Sequence, residues 1–298
     1  MQRLKSKFAD YGRLIRFSHT VFALPFALAS VALAWPSHPV TPRTFAWILV
    51  AMVSARSAAM GFNRLVDRKF DVLNPRTRGW ELPQGKVTIR ETAILIAISA
   101  LIFIYAAYQL NLVCFVLAPA ALIILFFYSL TKRFTWTSHL FLGLALSLAP
   151  MGAWLALSGA NLDFDELKTP LFLGLAVLFW LAGFDVIYSL QDFEFDRQQG
   201  LHSIPVRFGI ARALRLSGFF HFCTVIFLAL VGFTAKMGVI YWSGVAVVSV
   251  ILFREHQVVR PNDLSRINRA FFDFNAYISV GYFLTTLGDI ILTSGVVG

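Results

Sequence analysis

Apolar residues run along this chain in long uninterrupted stretches, with no short alternation of the kind that marks half-buried strands. A helix needs ~20 such residues to cross a ~30 Å hydrocarbon layer. Nine stretches approach that length: 17–35, 44–62, 92–109, 111–130, 138–158, 170–190, 213–234, 238–254 and 273–295. The third and fourth are separated only around Gln109 and Asn111, so the count needs an independent check. Lys and Arg supply it, because they are retained on the cytoplasmic side of a span. With the N-terminus inside, the inner segments collect 22 of the basic residues and the outer loops hold only Arg43, Lys168 and Lys236. A span missed or invented in the first half would exchange the sides of every later loop. The pattern therefore predicts an all-α integral membrane protein of nine transmembrane helices with a cytoplasmic N-terminus.

Composition agrees. Of 298 residues, 58% are hydrophobic and 14% are charged, against about 25% charged in soluble domains. Thirty Phe and seven Trp are spread along the whole length, so one polytopic domain over 1–298 is expected, with no separate soluble domain. A lipid bilayer is the expected surrounding, and a nucleic-acid partner is not expected. Cys114 and Cys223 both lie in apolar runs, which supports neither a disulfide framework nor a CxxC metal knuckle. Residues 1–10 are basic and lack a cleavable apolar core, so the first stretch is read as structure and not as a secretory signal.

The remaining basic residue, Arg56, lies inside the second stretch. A guanidinium in hydrocarbon is costly and faces a bundle interior, a watery cavity or an anionic partner. Snorkelling to an interface is the plainer alternative, weakened by the roughly two helical turns between Arg56 and the cytoplasmic end.

Two acidic clusters follow spans that run from outside to inside. The second stretch leads into GFNRLVDRKFDVLNPRT, where Arg56, Asn63, Asp67 and Asp71 share an arc of about 80° if the helix continues. The sixth ends in FDVIYSLQDFEFDRQQG, where Asp185, Asp192 and Asp196 share about 40°, with Tyr188 just off that arc. Asp67 and Asp192 are 125 residues apart, close to four spans plus loops. That spacing suggests two tandem four-helix halves, about 17–130 and 138–254, around a central cavity, with a ninth helix at 273–295 appended. Hydropathy and spacing carry the suggestion, not a detected sequence repeat.

Four aspartates facing one another would repel unless cations bridged them or protons neutralised some. Oxygen-only ligands favour a hard cation such as Mg²⁺, which joins carboxylates to substrate phosphates. The competing reading makes each cluster a solvated helix end balanced by Arg64, Arg68, Lys69 and Arg197. Two matched clusters at equivalent places favour the metal site. Anion-binding groups lie nearby: Arg68 and its basic neighbours after the first cluster, Tyr128 and Lys132 at i, i+4 spacing on one face, and His202 and Arg207 after the second cluster. Any one of these cations is also explained by topology alone. Pro75, Pro83 and Gly85 break the first inner loop, which reads as a partly ordered cap.

At these residues the chain resembles the UbiA superfamily of intramembrane prenyltransferases. The first motif reads Asn63-xxx-Asp67-xxx-Asp71 and the second Asp185-xx-Tyr188-xxx-Asp192-xxx-Asp196, with YSxTKR at Tyr128 to Arg133. The match is most similar to the 4-hydroxybenzoate polyprenyltransferase-like branch, which includes enzymes that prenylate hydroxynaphthoate on the way to menaquinone. Arg64 stands where an Asp often follows the motif Asn, and His202 where a Lys is usual. The resemblance implies attack of an electron-rich aromatic ring on an allylic polyprenyl diphosphate, with a small aromatic acid as acceptor. It implies Mg²⁺ held by Asn63, Asp67, Asp71, Asp192 and Asp196, and diphosphate donors at Arg68, Lys132 and His202. Tyr128 would stabilise cationic charge, Arg56 would hold the acceptor's carboxylate or a motif Asp, and Asp185, Asp71 or Tyr188 would assist proton removal. Arg16 and His19 would line the pocket. A bacterial inner membrane with the site opening to the cytoplasm is the expected location. Two other readings compete: a CDP-alcohol phosphatidyltransferase, whose single continuous motif is absent from the chain, and a cation transporter, which would need carboxylates nearer the midplane.

Overall fold

The computed structural model describes residues 10–15, 20–160 and 165–293, and among these the regular elements are helices, without a β-strand. The long helices are α1 (Thr20–Ala34), α2 (Pro42–Leu73), α3 (Ile89–Leu110), α4 (Leu112–Thr131), α5 (Ser138–Ser158), α6 (Lys168–Ser189), α7 (Ile210–Thr234), α8 (Val239–Val258) and α9 (Asn275–Thr293). Among the described residues, eight helical segments are long and apolar enough to cross a membrane, and a ninth, Phe22–Ala34 within α1, is a shorter apolar helix. Arg16 and His19 lie outside the described residues.

The helices agree with the hydropathy stretches to within a few residues except at the end of α2, which runs eleven residues past its stretch to Leu73, and the differences have local causes. α3 and α4 are separate helices with only Asn111 between them. Its backbone is fully extended, its N–H caps Ala107 C=O at 3.3 Å, and its side-chain Oδ1 accepts from Cys114 N at 2.9 Å. One residue thus ends one helix and caps the next. α3 starts on a reciprocal capping box, in which Thr88 Oγ1 accepts from Glu91 N and Glu91 Oε2 from Thr88 N. α2 is one unbroken helix of 32 residues that carries both its apolar stretch and the first acidic motif.

Packing divides the chain into two units, one built by α2, α3 and α4, the other by α1 and α5 through α9. In the first, Gly61 of α2 lets Ile96 of α3 approach; a Cβ at Gly61 would lie 2.9 Å from Ile96 Cγ1. In the second, α1 packs through aromatic rings. Phe26 meets Trp180 at 4.8 Å and Tyr282 at 5.2 Å, and Phe22 meets Phe184 and Phe271 at 5.7 and 5.3 Å. Offset and edge-on ring contacts add about 0.5–1.5 kcal/mol each beyond area burial. This ring cluster is why α1, although early in sequence, belongs to the second unit.

α8 begins on a tertiary cap. The Asp289 carboxylate of α9, 1% exposed, accepts from the backbone N–H of Gly238, Ile240 and Tyr241 at 2.6, 3.1 and 3.2 Å. A carboxylate at a helix N-terminus satisfies orphan amides and meets the positive end of the macrodipole. Tyr241 and Tyr282 then share a hydroxyl contact at 3.2 Å, and Tyr241 Oη donates to Leu228 C=O, joining α7, α8 and α9.

Candidate active site

Because α2 does not break after its apolar stretch, Asn63, Asp67 and Asp71 follow one another at one-turn intervals on the same face. Asn63 Nδ2 donates to Asp67 Oδ2 at 3.0 Å, fixing the carboxylate's orientation. Asp71 is buried, and Arg64 Nη1 stands 3.9 Å from its Oδ2. The residue that departs from the resemblance, Arg64, thus brings positive charge to the motif where a carboxylate was expected. Its guanidinium also lies over the Trp80 ring, 3.8 Å from the centroid, while Arg76 lies 5.6 Å from the same ring.

The loop after α2 is accordingly held to that helix. Thr77 Oγ1 donates to Asp71 C=O at 2.9 Å, Glu81 Oε1 accepts from Arg13 Nε at 3.0 Å, and Leu82 and Val87 pack with Leu14 in a small apolar cluster. Arg68 turns back on its own helix and donates to Leu65 C=O at 2.8 Å. Tyr128, half-buried near the end of α4, shares the electrostatic neighbourhood of Arg56, Arg64 and Asp67. Arg56 itself is half-buried within the helix and feels Tyr128 in turn.

In the second unit the acidic residues do not lie on one regular helix. α6 ends at Ser189, a 3₁₀ turn spans Leu190–Asp192, and a short α-helix follows over Phe193–Gln198. The arc expected for an unbroken helix is therefore replaced by a tightened turn between Asp185 and Asp192. Each acidic side chain meets a different environment. Asp196, 2% exposed, accepts from Lys132 Nζ at 2.8 Å. Asp192 is buried at 6% exposure. Asp185 keeps 24% of its side chain exposed and meets His139 Nδ1 through Oδ2 at 2.6 Å.

Lys132 is the first residue beyond α4. Burial works to lower its pKa, but the charge and hydrogen bond of Asp196, with Asp192 and Asp185 behind it, outweigh that and raise it above the ordinary lysine value. Lys132 C=O accepts from His202 N at 2.7 Å, which ties the loop after the second motif to the segment after α4. The His202 side chain is exposed. Tyr188 stacks on Phe271 at 4.0 Å and 28°, so its ring belongs to the edge of the aromatic cluster.

Sequence reasoning missed His139 and Trp80. His139 looks like an ordinary polar residue at a helix start, and its sequence separation from Asp185 hides the pairing. A lone Trp in a polar loop likewise gives no sign that two arginines flank it.

The donor set fits a hard divalent cation. Asp67 and Asp71 offer oxygen one helical turn apart, and Asn63 adds an amide that already orients one of them. Within neither unit, among the described residues, do three or more His, Cys, Asp or Glu side chains converge into a closed cage. Mg²⁺ characteristically takes one or two carboxylates, keeps several waters and completes its shell on substrate phosphates.

Comparison with known proteins agrees with this construction. The profile of the UbiA prenyltransferase family matches residues 23–279. The 4-hydroxybenzoate octaprenyltransferase of Cronobacter sakazakii is 27% identical over 285 residues, covering 94% of this chain and 95% of that protein. The mitochondrial 4-hydroxybenzoate polyprenyltransferase of Arabidopsis thaliana is 32% identical over 194 residues, 65% of this chain and 46% of that protein. Among solved structures, the apo UbiA homolog from Aeropyrum pernix K1 superposes with a TM-score of 0.83 at 30% identity, covering 91% of this chain and 98% of its own. A UbiA homolog from Archaeoglobus fulgidus bound to DMAPP and Mg²⁺ shares the fold, with a TM-score of 0.63 at 21% identity over 94% of this chain and 99% of its own. A membrane-embedded helical chain with two acidic motifs, matched by the family over residues 23–279, is a prenyltransferase and belongs to the UbiA prenyltransferase family.

Proposed function

We propose that the enzyme transfers a polyprenyl group from an allylic polyprenyl diphosphate to an aromatic acceptor, 4-hydroxybenzoate or a hydroxynaphthoate, in ubiquinone or menaquinone biosynthesis, and that it requires Mg²⁺. Support comes from relatives named as 4-hydroxybenzoate prenyltransferases and from the structural relative bound to DMAPP and Mg²⁺. The observation that carries the reading is the pairing of carboxylates with cations in each motif, Arg64 beside Asp71 and Lys132 on Asp196. A motif that serves a charged diphosphate needs both signs of charge.

In this reading Asn63, Asp67, Asp71, Asp192 and Asp196 hold the metal. When bound, the metal supplies charge neutralisation for the departing diphosphate. Lys132, Arg68 and His202 donate to diphosphate oxygens, with Asp196 keeping the Lys132 ammonium charged and aimed. Departure of the diphosphate leaves an allylic cation that water would quench, so the apolar surroundings exclude water. Tyr128 presents its ring or hydroxyl to that cation. Arg56 holds the acceptor's carboxylate, and Asp185, Asp71 or Tyr188 takes the proton that the acceptor gives up. The N-terminus is cytoplasmic, both motifs open to that side, and the polyprenyl tail enters from the bilayer. The two motifs occupy equivalent places in tandem halves.

The test is incubation of the purified protein with Mg²⁺, a polyprenyl diphosphate and a panel of hydroxybenzoates and hydroxynaphthoates, read by mass spectrometry. One prenylated acceptor is expected, and its formation should cease in Asp67→Asn and in Asp192→Asn while both variants stay folded in detergent. Normal turnover in both variants would remove the metal assignment. Absence of any prenylated product across the panel would remove the acceptor class.

A further inference from the structure

We infer that His139 is a positioning residue that fixes the orientation of Asp185. The inference rests on the reading of Asp185 as the group that takes the acceptor's proton. His139 is 1% exposed, in the first turn of α5, and both of its ring nitrogens are engaged. Nε2 accepts from the backbone N–H of Ile204 at 3.3 Å, and Nδ1 faces Asp185 Oδ2 at 2.6 Å. An amide can only donate, so Nε2 must keep its lone pair. The ring is therefore neutral with its proton on Nδ1, and that N–H donates a hydrogen bond to Asp185 Oδ2.

Each partner is itself held. Ile204 is the first residue of the short helix Ile204–Phe208, so its N–H is one of the amides that a helix start leaves without an internal acceptor. Ser203 Oγ caps the same turn by accepting from Val206 N at 3.3 Å. On the other side, α5 approaches α6 closely enough for the contact because Gly143, one turn beyond His139, has no side chain. A Cβ there would lie 2.3 Å from Leu178 C=O. A backbone amide thus sets the tautomer, the tautomer sets the donor, and the donor occupies one oxygen of a carboxylate whose side chain stays 24% exposed.

The consequence for the reaction is specific. With Oδ2 engaged by Nδ1–H, the acceptor's phenolic proton passes to Oδ1 of Asp185. The electron pair of that O–H bond stays on the acceptor oxygen and raises the electron density of the ring that attacks the allylic carbon. Lys132 and Asp196, hydrogen-bonded to each other at 2.8 Å, belong to the diphosphate side of the same reading.

Three variants test this: His139→Leu removes the donor, His139→Asn returns an amide N–H at the Nδ1 position, and Asp185→Asn removes the carboxylate that takes the proton while leaving an amide oxygen that can still accept from Nδ1–H. Expected are a kcat lowered by about tenfold to a hundredfold in H139L, with the KM for polyprenyl diphosphate unchanged, and recovery to within about threefold of wild type in H139N. In the D185N background H139L should cause no further loss, because its effect passes through the carboxylate. Wild-type kcat in H139L, equal impairment of H139N and H139L, or additive losses in the double variant would each overturn the positioning role while leaving Asp185 its assignment. Wild-type kcat in D185N alone would instead overturn the assignment of Asp185 and the inference with it. Thermal unfolding of each variant in detergent separates these outcomes from loss of fold.

Discussion

Lys132 Nζ sits 2.8 Å from Asp196 Oδ2, a half-exposed ammonium against a carboxylate that is 2% exposed. Removing the lysine leaves that carboxylate buried without its cation. Lys132→Met should therefore lower stability by about 1–3 kcal/mol, less than for a fully buried pair because Lys132 keeps 36% of its side chain exposed. Adding Asp196→Asn should recover most of that stability without recovering turnover, and thermal unfolding beside an activity assay reads both.

The same pair sets a pH dependence. The Lys132 pKa is raised in the folded protein, so its stabilisation is fully present below the ordinary lysine value and is lost as pH rises through the folded value. The melting temperature in detergent should be insensitive to this group through neutral pH and fall at alkaline pH above the lysine range. That part of the fall should be missing in Lys132→Met.

Arg56 lies within α2, seven residues before Asn63, in the neighbourhood of Tyr128. Arg56→Ala should raise the KM for the aromatic acid by at least about tenfold, the scale of one lost charged contact, and leave the KM for polyprenyl diphosphate within about twofold. Steady-state kinetics with each substrate varied in turn checks it, and equal changes in both constants would remove the acceptor role.

Asp289 gathers three backbone N–H groups at the start of α8. Asp289→Ala should destabilise the protein by about 2–3 kcal/mol, more than a single side-chain cap, since three amides lose a charged acceptor in a buried place. Asp289→Asn keeps one acceptor oxygen and should lose about half as much. Both should retain normal kcat at low temperature, because the cap lies outside the proposed site.

Gly143 admits Leu178 C=O to a position that a Cβ would occupy at 2.3 Å. Gly143→Ala must push α5 from α6. It should lower the melting temperature and reduce kcat in the manner of H139L, since the His139–Asp185 contact depends on that approach.

Most of the architecture was legible because hydrocarbon imposes one rule, that backbone groups be satisfied within the segment, and long apolar stretches obey it as helices. Charge on the loops resolved the ambiguous pair around Asn111, and the structure shows a single residue doing the work of two caps there. The acidic motifs were legible as residues but only partly as geometry. Asn63, Asp67 and Asp71 keep helical spacing because nothing between them interrupts α2. Asp185, Asp192 and Asp196 lose it because the chain tightens into a 3₁₀ turn at Leu190–Asp192, which periodicity does not foresee. His139 and Trp80 were invisible because their meaning comes from tertiary partners, a carboxylate and an amide in one case and two guanidinium groups in the other. The placement of α1 with the second unit was equally hidden, since ring stacking against Trp180 and Tyr282 leaves no periodic trace.

The unbroken length of α2 has a mechanical consequence. At 1.5 Å per residue, 32 residues make a rod of about 48 Å, well beyond the ~30 Å of hydrocarbon it must match. Arg56 and Asp71 are fixed points on that rod, so their heights relative to the lipid headgroups change together when the bilayer thickens or thins. Hydrophobic matching therefore becomes a control on chemistry: in vesicles of long-chain lipids the carboxylates are drawn toward the acyl layer, in short-chain lipids they stand clear of it, and turnover should pass through an optimum at one acyl length.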